Sequence, residues 1–135
     1  MSFSNTAETA VLNQVFVGTA LAWNANTDLW IALYTADPGE AGTAVTSEAT
    51  YGGYERVVLT RATDFTVSGN SVSNANLEQF VACTSGSNTI TYAAIVSTVS
   101  GAGTILVRAE LSSSISVSTG VQPQFAAGAL SFTLD

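Results

Sequence analysis

The sequence predicts a mainly β protein: a single β-sandwich, of jelly-roll or immunoglobulin-like type, with one short N-terminal amphipathic helix. Three observations carry this expectation. Charged residues make up only 10% of the 135 residues, well under the usual ~25%, and 16 serines and 18 threonines supply the polarity instead. Short runs of β-branched and aromatic residues recur between breaks rich in Gly, Ser and Asn. The strongest run, Leu29-Trp30-Ile31-Ala32-Leu33-Tyr34, is apolar on both alternating faces, as in a central strand covered from two sides.

The helix is expected over about residues 5–17. Asn5-Thr6-Ala7-Glu8 reads as a capping box, with Asn5 as the cap and Glu8 reaching back to it. Val11, Leu12, Val15 and Phe16 follow at helical spacing, and Gly18 is a suitable stop. Two roles are open for the apolar face: closing one end of the β core, or docking on a partner subunit. Residues 18–28 carry Trp23 in a loop that leads into the central strand. Asp37-Pro38-Gly39 ends that strand, because proline cannot donate to a ladder and Pro-Gly favours a turn.

Residues 37–53 form the longest irregular stretch, punctuated by Gly39, Gly42, Gly52 and Gly53. Loops of that length tend to carry function. Strands are then expected at Tyr54–Thr60, at Phe65–Val67 with a return from Val72, and at Leu77–Val81 with Glu78 and Gln79 turned partly outward. Ile90–Val96 reads as a second central strand. It is joined by the Ser100–Gly103 turn to Thr104–Leu111, where Arg108 and Glu110 share a face. Ser112–Thr119 reads as a separate, half-exposed strand, Gln122-Pro123-Gln124 as an edge or turn, and Ala129–Leu134 as a strand paired in a sheet. Strands thus fill about residues 29–134 of one domain over 1–135.

Composition excludes several kinds of chemistry. There is no histidine, the commonest general base and metal ligand. Cys83 is the only cysteine, which leaves no intrachain disulfide or Cys-based zinc site and suits a small buried residue. The cations are Arg56, Arg61 and Arg108, against ten acids, for a net charge of −7. That leaves no basic patch for nucleic acid or an anionic membrane surface. No signal peptide is recognisable, and no apolar run approaches the ~20 residues that span a bilayer. No phosphate-binding or nucleophile motif occurs. The sequence therefore points to a non-enzyme without a cofactor or metal. Asp37, Glu40 and Glu48 are oxygen ligands of the kind calcium takes, but they lack the spacing of a calcium loop. Of the aromatics, Trp23, Tyr51 and Tyr54 stand where an exposed sugar-binding platform could form.

Taken together, the "LNQVF" helix, "LWIALYTADPG", "GGYER" and the closing "FAAGALSFTLD" resemble a family of small tailed-bacteriophage virion proteins, often labelled tail fibre proteins. Similar β-sandwich proteins decorate capsids as cement. The resemblance implies a virion structural protein made in the bacterial host cytoplasm. Foremost, it implies a capsid decoration protein on the outer capsid surface that stabilises the head. Its partners would be the major capsid protein and copies of itself in a homotrimer. The alternative is a tail fibre or tail-tip component that touches a host surface glycan. Candidate subunit contacts are Val11, Val15 and Phe16 on the helix, Trp23, and Asp37, Glu40, Glu48, Tyr51 and Tyr54 in and beside the long loop.

Overall fold

A computed structural model describes residues 2–134. The chain order is β1 (Ser2–Phe3), α1 (Asn5–Leu12), a π-helical turn (Asn13–Val17), β2 (Asp28–Tyr34), β3 (Val57–Thr60), β4 (Phe65–Ser68), β5 (Ser71–Asn74), β6 (Glu78–Gln79), β7 (Asn88–Val96), β8 (Ile105–Val117), β9 (Gln124–Phe125) and β10 (Ser131–Thr133). These strands form a five-stranded sheet in the order β1-β8-β7-β2-β3, a three-stranded sheet β10-β5-β4 and the pair β6-β9. All strand pairs are antiparallel. The sandwich and its N-terminal helix are as the sequence predicts.

β2 is central, with β3 on one side and β7 on the other. Its period of two divides its side chains between two apolar clusters. Leu29, Ile31 and Leu33 join the main core with Ile90, Ile95, Phe80 and Phe132. Ala32 and Tyr34 join a second cluster with Ala44, Ala94, Val96 and Ile105. The long loop supplies the lid of that second cluster, where the Tyr34 hydroxyl donates to the Ala44 carbonyl at 3.0 Å.

Four details of the chain differ from expectation. The helix is capped by Ser4, one residue before Asn5: Ser4 is extended, and its hydroxyl accepts from the Ala7 amide at 3.1 Å. Ser4 is fixed there because β1 pairs with β8 and the Ser4 hydroxyl donates to the Ile105 carbonyl. The helix lies on β8 through its small side, with Ala7 buried, while Leu12, Val15, Phe16 and Val17 face out. The amphipathic face therefore does not close the core. The stretch 77–81 forms only the two-residue β6, and Glu78 is buried at 7% exposure instead of pointing outward.

Finally, the two strands expected at 104–111 and 112–119 are one strand, β8. Tyr92 opposes Glu110 and Ile90 opposes Ile115, so Leu111–Ser114 stand opposite Thr91 alone in a large bulge. The hydrophobic pattern breaks at the bulge because its residues have no cross-strand partners, and this makes one strand read as two.

Candidate functional site

The long loop after β2 is held by charge. Arg56 precedes β3 and its side chain is 2% exposed. Its Nε donates to Glu48 Oε1 at 2.7 Å and its Nη2 to Glu48 Oε2 at 2.9 Å. The remaining donors reach Thr98 and two further carbonyls: Nη1 donates to the Thr98 carbonyl at 2.8 Å and its Oγ1 at 3.0 Å, and Nη2 to the carbonyls of Gly101 at 2.9 Å and Ala44 at 3.3 Å. One guanidinium thus ties the loop to the turn between β7 and β8. Burial opposes the charge on Arg56, but the Glu48 carboxylate outweighs it and raises the guanidinium's pKa further.

Tyrosines complete this network. The Tyr54 hydroxyl accepts from the Leu33 amide at 3.0 Å and donates to Glu48 Oε1 at 2.9 Å. Burial, with the nearby Glu48 charge, pushes the Tyr34 and Tyr54 hydroxyls far above the ordinary phenol range. Tyr51 is pushed up to about 12, chiefly by burial. Rings run from the loop into the core: Tyr51 meets Tyr54 edge-on at 5.4 Å, Tyr54 stacks on Phe80 at 6.3 Å, and Phe80 meets Phe125 edge-on at 6.2 Å. The glycines of "GGYER" let the loop lie close against residues 81–85. A Cβ on Gly52 would lie 2.1 Å from Ser85 Oγ, where the two backbones exchange hydrogen bonds, and Gly53 has φ +87°.

The other arginines are also engaged. Arg108 Nη1 contacts Asp37 Oδ1 at 2.8 Å and its Nη2 contacts Glu40 Oε1 at 3.6 Å. Arg108, which shares a strand face with Glu110, thus pairs with these neighbouring loop carboxylates. Arg61 donates to the carbonyls of Trp23, Asn24 and Asn26. Among the described residues, all three cations are spent on the fold.

The expected contact residues therefore separate into three groups. Trp23 and Tyr51 are 6% and 3% exposed, so neither belongs to an exposed aromatic platform. Trp23 enters the core with Leu29 and Leu59, and the Tyr51 hydroxyl donates to the Val81 carbonyl. Glu48 and Tyr54 line a cleft of about 440 Å³ with Arg56 and Gly101. The side chains of Glu48, Tyr54 and Arg56 there hydrogen-bond one another. The three loop acids do not converge: Glu48 faces Arg56, whereas Asp37 and Glu40 face Arg108. Among the described residues, no group of three His, Cys, Asp or Glu side chains gathers to hold a metal ion.

The third group is the helix. Val11 is half-buried, while Val15 and Phe16 are 66% and 79% exposed. Beside the helix runs an apolar groove of about 260 Å³ between Phe3, Val67, Val72, Phe132 and Leu134, with no charged lining residue. No helix of the described residues is long and apolar enough to cross a membrane. The helix is legible in the sequence, but the groove is not, because its walls come from three distant segments. The pairing of Arg56 with Glu48 is not legible either. A lone cation at the edge of an apolar run was the available signal.

A family model described as podophage GP4 fiber I protein gp80 matches residues 2–133. No curated protein matches the chain.

Proposed function

The chain belongs to the podophage GP4 fiber I protein gp80 family, a phage virion structural family, and from that premise we propose that it is a non-catalytic fibre or tail-tip subunit. The observation that carries this reading is the family match across nearly the whole chain. In the tail, the protein works by holding copies of itself and neighbouring subunits through buried surface, as a homotrimer. With Trp23 and Tyr51 inside the core, a host glycan contact would not use them.

A second reading, a decoration protein that grips the major capsid protein and stabilises the head from outside, has its own support. The chain carries a net charge of −7, and its three arginines are all engaged within the fold. An exterior with an excess of carboxylates is repelled by packaged DNA and suits an outer position. The same surface disfavours nucleic acid as a partner.

Quantitative mass spectrometry of purified virions separates the two. A few copies per virion supports the tail position. A simple ratio to the major capsid protein moves the chain to the head lattice, and absence from virions overturns both.

A further inference from the structure

The helix tip and the groove beside it are apolar features that the fold leaves uncovered. Leu12, Val15, Phe16 and Val17, within the six residues 12–17, are 57–79% exposed. In the groove, Val67 and Leu134 are also exposed, at 73% and 57%. An exposed apolar cluster of this kind marks an interaction surface.

We propose that the occupant of the groove is the helix tip of a second copy of this chain. The inference rests on the proposed function, in which the protein assembles from copies of itself, and it names the surface that does so. Charge selects the partner. Residues 9–27, 65–77 and 111–134 contain no charged side chain. The first segment holds the tip, and the other two supply most of the groove. Glu8 is the one acid lining the cleft next to it, where Val11 and Leu12 approach Leu134. Elsewhere the chain carries ten acids against three arginines, so two copies that met there would set carboxylate against carboxylate. Apart from Glu8 and Asp135, which follows Leu134 in sequence, this face is uncharged, so like-charged copies meet there with less repulsion than elsewhere. A basic partner would be drawn to the acidic faces instead. Shape agrees with this choice, since the tip is convex, the groove is concave, and both are apolar.

Sedimentation equilibrium of the purified full chain across a wide concentration range tests the contact, with Phe16→Asp and Val67→Asp as separate variants. The wild type is expected to self-associate, and each variant to weaken association roughly tenfold or more. Both sites are exposed, so the monomer's circular dichroism and Tm should stay unchanged. A wild type that stays monomeric, or variants that associate as tightly as wild type, would overturn the proposal.

A second measurement places the tip in the groove. Chains carrying Phe16→Cys are mixed with chains carrying Val67→Cys, all with Cys83→Ser, and oxidised. A disulfide-linked heterodimer supports the contact. Self-association without that link overturns the assignment of tip to groove. These readouts use purified protein alone, so they stand or fall apart from the copy number in virions.

Discussion

Arg56 and Glu48 form a two-pronged ion pair, with Nε–Oε1 at 2.7 Å and Nη2–Oε2 at 2.9 Å, beneath the longest loop of the chain. The two lie eight positions apart in sequence. Together they fix a segment that carries little secondary structure, because the same guanidinium also reaches the turn between β7 and β8. The loop is therefore a lid on the second apolar cluster and not a free arm.

Breaking this pair from one side should be costly. Arg56→Met leaves the Glu48 carboxylate, 15% exposed, without its cation. The expected loss is about 3–5 kcal/mol, a large part of a stability of roughly 5–15 kcal/mol. Chemical denaturation reads it directly. The double variant Arg56→Met with Glu48→Leu should recover much of the loss. If the single variant matches wild type, the clamp is not what holds the loop.

Arg108 should behave differently, although it also makes two ion pairs. Its partners Asp37 and Glu40 are 43% and 51% exposed, and its buried Nε has no hydrogen-bond partner. Exposed pairs of this sort contribute ~0–1 kcal/mol and weaken with salt. Arg108→Met should change stability by less than about 1 kcal/mol, since the methionine keeps the apolar stem packed. The same denaturation series at low and high salt checks this, and a loss as large as that for Arg56→Met would contradict it.

Ser4 joins the helix to the sheet through one hydroxyl. It caps α1 at the Ala7 amide and donates to the Ile105 carbonyl, and the residue is 1% exposed. Ser4→Ala removes both bonds and leaves a buried carbonyl short of a donor, at an expected cost of about 1–2 kcal/mol. Hydrogen exchange should show earlier loss of protection at Ala7 and Glu8 than in the core strands.

The parts of this fold legible in the sequence are those set by periodicity. β2 and β7 stand out because buried strands need apolar residues on both faces, and the turns at Gly69 and Gly101 take the positive φ expected of such breaks. The helix is legible as a helix, but its orientation is not. Ala7 rather than the larger Val15 and Phe16 faces β8 because the Ser4 anchor sets the rotation, and that anchor depends on Ile105, far along the chain. The burial of Trp23 and Tyr51 depends likewise on distant partners, Arg61 for the loop around Trp23 and Val81 for the Tyr51 hydroxyl. Loop residues carry no period, so their burial leaves no pattern to read.

Glu78 gives the protein a pH dependence with a definite sign. The side chain is buried at the β6–β9 pair, and burial, with the nearby Asp64 charge, raises its pKa above the usual carboxylate range. The folded state therefore holds this proton more tightly than the unfolded chain does. The stability it contributes is full below the ordinary glutamate value of about 4.3. It is lost as pH rises through the higher folded value, and at pH 7 the buried carboxylate opposes folding. Glu78→Gln keeps the shape and removes the charge, so its Tm should exceed that of wild type at neutral pH, and the two should converge as pH falls into the glutamate range. Melts followed by circular dichroism at several pH values would show this. A Gln variant that is less stable than wild type at pH 7 would reverse the sign, and would mean that favourable contacts hold the ionised carboxylate in the fold.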